Sequence, residues 1–86
     1  IPTIVDPSAV VAQNVKIADG VFVGKRAIVN ANVSVGTAAI LNSGAILEHD
    51  CRIGDFVHIS PGAILCGDVQ VAAHTHVGAG TVDLHW

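Results

Sequence analysis

A branched aliphatic residue recurs at every sixth position of this chain, without insertion, from residue 5 to residue 77. These first positions of the repeat are Val5, Val11, Ile17, Val23, Val29, Val35, Leu41, Leu47, Ile53, Ile59, Leu65, Val71 and Val77. The residue four places after each of them is always small: Ala, Val, Cys or Thr. A period of six fits neither the turn of an α-helix nor the alternation of a β-sandwich strand. It predicts very short strands joined by tight corners, with three strands closing a triangular coil of eighteen residues.

The composition agrees with short strands rather than helices. The apolar share is 51%, and it consists mostly of Val, Ile, Ala and Leu because Tyr and Met are absent. β-Branched side chains suit pleated strands, while the nine Gly and three Pro suit corners. A chain of 86 residues is too short for a large globular core, so its stability must come mainly from the stacking of neighbouring coils.

Charge and hydropathy exclude several classes of function. The formal net charge is -3 and only four side chains are Lys or Arg, so no basic stripe could hold a nucleic acid. No apolar run reaches the ~18 residues of a membrane span, and we expect no membrane partner. Cys51 and Cys66 have the spacing of neither a zinc site nor a disulfide scaffold, which favours the reducing cytoplasm.

The hexad pattern resembles the hexapeptide-repeat acyltransferases over about nine-tenths of the chain. This resemblance implies an all-β fold, a single-stranded left-handed parallel β-helix, and the left hand is taken from the family because crossovers are ordinarily right-handed. We therefore expect about four triangular coils in residues 1–82. Asp83 stands where the next aliphatic is due, so residues 83–86 are expected to form a non-repeat C-terminal end.

The three outer faces of such a β-helix differ in polarity. Residues eighteen apart stack in columns: the first-position aliphatics are expected to point inward and be buried, and the residue before each of them points outward. Face A carries Val10, Ile28, Ile46, Ile64 and Val82; face B carries Ile4, Phe22, Ile40, His58 and His76; face C carries Lys16, Ser34, Arg52 and Gln70. An outward apolar ladder is typical of an interface, although strand propensity alone could also select these residues. We expect face A of one subunit to pack on face B of the next in a closed homotrimer.

The residues suited to chemistry are concentrated between positions 41 and 63. This segment reads LNSGAILEHDCRIGDFVHISPGA and resembles the NeuD and PglD group of sugar acetyltransferases. The resemblance implies acetyl-CoA as donor, a sugar or nucleotide sugar as acceptor, and His49 as the general base. An imidazole suits that role because its ordinary pKa of ~6.5 lets it take a proton from the attacking group. Asp50, or else Glu48, would orient the ring; the alternative is an exposed corner histidine with no task.

The same resemblance assigns three further residues to acetyl-CoA binding. Gly67, one coil above His49, would hold the thioester carbonyl with its backbone N–H, in space left by the missing side chain. A corner that needs a positive φ would explain this glycine equally well. Asn42 and His58 lie across face A from the His49 of their own chain, so we expect the site to form between subunits. No metal is predicted, since the His-x-His pair at residues 74–76 has no carboxylate or thiolate beside it in the sequence.

Two functional hypotheses remain open from the sequence. Enzymes of the NeuD and PglD group carry an N-terminal substrate domain and further coils, and neither is found in these residues. We therefore expect little or no turnover, even with His49 intact. The chain is either an acetyltransferase fragment or an engineered or truncated trimeric scaffold without activity. Which sugar is acetylated, and whether on nitrogen or oxygen, stays open.

Overall fold

The structure of the chain is a computed structural model, and it describes residues 1–84. These residues form fourteen strands of two residues each, one in every hexad. The strands are β1 (Ile4–Val5), β2 (Val10–Val11), β3 (Lys16–Ile17), β4 (Phe22–Val23), β5 (Ile28–Val29), β6 (Ser34–Val35), β7 (Ile40–Leu41), β8 (Ile46–Leu47), β9 (Arg52–Ile53), β10 (His58–Ile59), β11 (Ile64–Leu65), β12 (Gln70–Val71), β13 (His76–Val77) and β14 (Val82–Asp83). Residues 1–84 include no helix that is long and apolar enough to cross a bilayer.

Every third strand pairs in parallel, which builds three flat sheets. Face B is the sheet β1-β4-β7-β10-β13, face A is β2-β5-β8-β11-β14, and face C is β3-β6-β9-β12. The register is the predicted shift of eighteen residues, as in the pairing of Ile40 with His58 and of Leu41 with Ile59. The chain is therefore a left-handed parallel β-helix of about four triangular coils, as predicted, and it measures 33 × 24 × 24 Å.

The first-position aliphatics fill the interior from the second coil onward. All of them from Val23 to Val77 are buried, and small residues such as Ala39 and Ala45 fill the corners between them. In the first coil the prediction of a buried ladder is wrong, because Val5 is 42% and Val11 38% exposed. No described residue packs on the outer side of that coil, so these side chains have interior neighbours on one side only.

The last described strand continues the ladder to Asp83. Leu65 of β11 pairs with Asp83 of β14, whose side chain is half-buried at a position that is aliphatic in the coils below. The predicted non-repeat end extends over residues 83–86, of which His85 and Trp86 lie outside the described residues.

From the second hexad onward, the fourth position of each hexad turns the chain through the left-handed region of backbone space. Values of φ between 57° and 73° occur at Asn14, Gly20, Arg26, Asn32, Ala38, Gly44, Asp50, Phe56, Gly62, Asp68, His74 and Gly80. Gly, Asn and Asp accept this conformation readily, whereas the Cβ of an alanine crowds the following carbonyl. The backbone at Ala38 is therefore strained, and the cause of the strain is the Cβ atom of the alanine.

Relieving this strain should stabilise the fold. We expect Ala38→Gly to raise the free energy of unfolding by ~1 kcal/mol, because glycine adopts φ near +58° without the Cβ clash. Thermal unfolding followed by circular dichroism should then show a Tm higher by roughly 4–8 °C. The neighbouring Ala39→Gly is the matched control, since Ala39 is fully buried and has no positive φ, and its Tm should fall. A Tm for Ala38→Gly at or below that of the parent would contradict the strain.

Candidate active site

His49 and Asp50 form a hydrogen-bonded pair at the corner that follows β8, between faces A and C. The Nδ1 atom of His49 is 2.9 Å from Oδ2 of Asp50. A carboxylate only accepts hydrogen bonds, so Nδ1 carries the proton and donates it, which leaves the lone pair of Nε2 available as a base. The two side chains are 60% and 45% exposed. A substrate can therefore reach the ring directly.

The pKa of His49 is raised above its ordinary value. The largest cause is the hydrogen bond to Asp50; desolvation opposes it, and the negative charges of Asp50, Asp68 and Glu48 support it. Asp50 is the residue next to His49 and takes the left-handed corner conformation, with φ of 63°, which an aspartate tolerates. The corner geometry of the repeat thus provides the carboxylate partner of the imidazole.

Glu48, the second candidate for orienting His49, is engaged elsewhere. Its Oε1 accepts a hydrogen bond of 3.2 Å from Nδ2 of Asn30, one coil below. The same amide donates to the carbonyl of Leu47, also at 3.2 Å. Within residues 1–84 the ring of His49 is hydrogen-bonded to Asp50 and not to Glu48. Sequence reasoning missed Asn30, although its spacing of eighteen from Glu48 places the two side chains in one column.

Gly67, one coil above, lies against the imidazole of His49. A Cβ built on Gly67 would be 2.6 Å from Nε2 and 2.7 Å from Cε1 of His49. The ring itself therefore occupies the space that the sequence suggested was left for a thioester. The positive φ proposed as another reason for this glycine is found instead at Asp68, so that alternative is wrong. A side chain at residue 67 would displace the base, while a glycine lets Nε2 lie against the main chain.

Asn42 and His58 meet on face B, at the other end of the face A strand. Nδ2 of Asn42 is 3.3 Å from Nε2 of His58, and Oδ1 of Asn42 accepts the N–H of Ser43 at 2.8 Å. Asn42 follows β7 and His49 follows β8, so the width of face A separates the two clusters within one chain. The structure thus groups the predicted site residues into two clusters, one with His49, Asp50 and Gly67 and the other with Asn42 and His58.

The His-x-His pair is divided between two columns. His74 stacks on Phe56 with ring centroids 5.2 Å apart, whereas His76 stacks on His58 at 4.6 Å. In the part of the chain that the structure describes, no group of three or more His, Cys, Asp or Glu side chains is arranged to hold a metal ion. Both cysteines are free thiols.

The surroundings of His49 are open to water in a single chain. A polar groove of about 360 Å³ runs beside Asp50 on face C, lined among others by Ser34, Arg52 and Asp68. Neither this groove nor the exposed ring excludes solvent. A second surface packed over His49 would be needed to exclude solvent from the ring.

The raised pKa of His49 leads to a pH prediction. A raised pKa in the folded state means that this group stabilises the fold fully below its unfolded pKa, and the contribution disappears as the pH rises through the folded value. The free imidazole base accumulates over that same rise. Asp50→Asn removes the largest cause, so the titration midpoint of His49 in an NMR experiment should move to lower pH. Asp68→Asn, which removes a smaller charge effect, should move it less; an unmoved midpoint in Asp50→Asn would contradict the pairing.

The fold is a triangular left-handed β-helix built from hexapeptide repeats, and proteins with such a β-helix form a recognised structural class. The chain belongs to the family described as the GMPPB C-terminal domain, whose profile matches residues 2–85. That description names a domain and no reaction. Among curated protein sequences, none is significantly similar to the chain.

Three solved structures from Caulobacter crescentus are similar to the chain. A variant of perosamine N-acetyltransferase with one histidine replaced by asparagine, in complex with CoA and GDP-perosamine, is 32% identical with a TM-score of 0.82, over 99% of this chain and 49% of that one. The corresponding alanine variant is 26% identical with a TM-score of 0.64, over 96% and 51%. PerB with the same two ligands is 27% identical with a TM-score of 0.60, over 98% and 52%. The chain thus spans about half the length of these structures.

Proposed function

We propose that the chain is the catalytic β-helix of an acetyl-CoA-dependent sugar acetyltransferase, related to the NeuD and PglD group. The observation that carries the proposal is the His49–Asp50 pair, in which a carboxylate fixes the proton on Nδ1 and leaves Nε2, beside Gly67, as a base. Support comes from the similarity to N-acetyltransferase structures that hold CoA and GDP-perosamine. We infer an amino group of a nucleotide-linked sugar as the acceptor, since those neighbours are named for acetylation of nitrogen.

In the proposed reaction His49 moves one proton. Nε2 accepts the proton of the acceptor N–H as its nitrogen attacks the acetyl carbonyl, and the new C–N bond forms while the carbonyl becomes an oxyanion. We assign the stabilisation of that oxyanion to the N–H of Gly67, which donates to no backbone oxygen within residues 1–84. Collapse of the intermediate breaks the C–S bond, and the departing thiolate takes the proton from Nε2. Asp50 stabilises the imidazolium between these two steps.

We further propose that the active site forms between subunits of a homotrimer. Face A exposes Val10 by 60% and Val82 by 57%, and face B exposes Ile4 by 58% and Phe22 by 41%. Packing face A on face B of the next chain would bury both ladders and bring the Asn42 cluster to the neighbour's His49. It would also cover a histidine that is open to water in one chain. A cytoplasmic location suits the two free thiols and the thioester donor.

A second candidate function is a β-helix domain with a structural role and no catalysis. The chain matches a family described as a C-terminal domain, and a domain attached to a larger protein can have a structural role. The share of about half of each acetyltransferase structure is also compatible with a domain that needs other parts for activity. The two functions differ in one measurable property, the dependence of acetyl transfer on His49.

The test is release of free CoA thiol from acetyl-CoA in the presence of a GDP-linked amino sugar, with product mass measured in parallel. We expect slow but measurable transfer, dependent on both substrates, because the chain spans only about half of the enzymes it resembles. Release of thiol without acetylated sugar would show that water, and not the amino sugar, attacks the acetyl group at this site. A rate equal to that of buffer, with a trimer present, would favour the structural role.

A further inference from the structure

Face B carries a two-layer polar ladder that the proposed function does not yet use. Asn42 contacts His58 across sixteen residues, and Ser60 contacts His76 across the same interval one coil higher. His58 and His76 are paired in register between β10 and β13, and their rings are parallel within 1° at a centroid distance of 4.6 Å. Exposure to solvent alone would not select the same kind of polar pair in two successive coils.

The lower layer determines which nitrogen of His58 carries the proton. Oδ1 of Asn42 accepts from the backbone N–H of Ser43 at 2.8 Å, so the atom that faces His58 is the amide nitrogen. An amide nitrogen only donates, and Nε2 of His58, 3.3 Å away, must therefore be the acceptor. The proton of the neutral ring is then on Nδ1.

The proton on Nδ1 is available to a ligand. All buried side-chain nitrogen and oxygen atoms of the described residues have a hydrogen-bond partner. Nδ1 of His58 has none among residues 1–84, so this atom lies at the surface of a half-buried ring. His58 is consequently a hydrogen-bond donor toward solvent, and its lone pair is already engaged.

The upper layer holds the plane of this ring. Oγ of Ser60 is 2.7 Å from Nε2 of His76, and Ser60 is a buried polar residue with 5% exposure. A buried hydroxyl restrains its partner because leaving it unpaired is costly. His76, fixed in this way, lies flat against His58 and restricts rotation of its ring about χ2.

We propose that Ser60 and His76 are positioning residues that keep His58 in the Nδ1–H tautomer, so that His58 donates a hydrogen bond to substrate and does not act as a base. The role in substrate binding rests on the proposed function, whereas the tautomer belongs to the folded chain alone. In the assembled enzyme the two histidines would then have different roles. His49 would accept the proton, and His58 would donate a hydrogen bond to an oxygen of the bound substrate.

The test uses nitrogen–proton correlation spectra of the imidazole rings of the whole chain, at a pH above the imidazole titration range, and needs no substrate. In the parent chain we expect His58 as the Nδ1–H tautomer. Asn42→Ala should shift the tautomer ratio roughly fivefold, as for the loss of one hydrogen bond. Ser60→Ala and His76→Ala should shift it in the same direction, although neither removes a contact to Nε2 of His58.

Rescue and control variants separate positioning from general damage. Ser60→Thr retains the hydroxyl and should restore the parent ratio, and His74→Asn, which alters a stack on a different column, should leave it unchanged. If Ser60→Ala fails to fold, His76→Ala gives the same reading at an exposed residue. An Nε2–H tautomer in the parent, or unchanged His58 signals in His76→Ala, would overturn the proposal. Absence of acetyl transfer would affect only the proposed function.

Discussion

Replacing His49 with asparagine should slow acetyl transfer by ~10²–10⁴-fold, the range that loss of a general base produces. Asparagine lacks a nitrogen that can accept a proton at neutral pH, so the acceptor amine would have to lose its proton to water. The fold should be unaffected, because the side chain of His49 is 60% exposed and its polar contact in the described residues is with Asp50. The measurement is kcat/KM for thiol release, with acetylated sugar measured by mass.

The matched control for this variant is His74→Asn. His74 is also an exposed corner histidine, and it contacts Phe56 and not Asp50, so its replacement should leave kcat/KM unchanged. A positive φ of 66° at His74 is one that asparagine accepts, so the control introduces no new strain. Equal activity of the parent and the His49 variant would refute His49 as the base, and equal loss in both variants would show general damage.

Replacing Ile46 and Ile64 together with lysine should convert the proposed trimer into a monomer. Both residues are the centre of the face A ladder, on the paired strands β8 and β11. Burial of two ammonium groups against an apolar neighbour costs several kcal/mol per charge, so the packing of face A on face B should be lost. Light scattering should therefore change from three times 8.8 kDa to 8.8 kDa. Acetyl transfer should fall with it, because the Asn42 cluster would no longer reach the neighbour's His49.

The control for the assembly is Gln70→Lys on face C. Gln70 is exposed in the single chain and lies on the sheet that we do not expect to meet a partner, so the mass should remain that of the parent. A parent chain that is monomeric at micromolar concentration would contradict the packing of face A on face B. A trimer that survives both lysines would place the interface elsewhere.

Much of the fold could be predicted because the position of a residue within its hexad indicates whether its side chain points inward, points outward or lies at a corner. A first-position aliphatic such as Leu41 or Leu47 must point inward, since the residue on either side of it is at a corner or on an outer face. The column register follows from the period alone, and the structure pairs Ser34 with Arg52 as the spacing of eighteen requires. The predicted burial of Val5 and Val11 was wrong because burial depends on a coil on each side, and the period alone does not show that the first coil has a neighbour on one side only.

The candidate site could be predicted only in part. Motif resemblance selected His49 and put Asp50 ahead of Glu48 as the residue that orients its ring, but the contact itself is not visible in the sequence, because both residues are adjacent to His49. The structure gives Asp50 the hydrogen bond and engages Glu48 with Asn30. Contacts between coils, such as that of Ser60 with His76, were missed for the same reason, although their interval of sixteen residues is visible in the sequence.

The sequence by itself determined the period, the interior, the identity of each column and the polarity of the three faces, because a solenoid repeats one local rule in every coil. The tertiary structure decided which side chains contact one another at the corners. Rotamers place the His49 ring against Gly67, where a Cβ would come within 2.6 Å of Nε2, and hydrogen bonds assign the proton to Nδ1 of His49 and of His58. These are properties of side chains that meet across coils, and they depend on distances of a few tenths of an ångström that a sequence period does not contain.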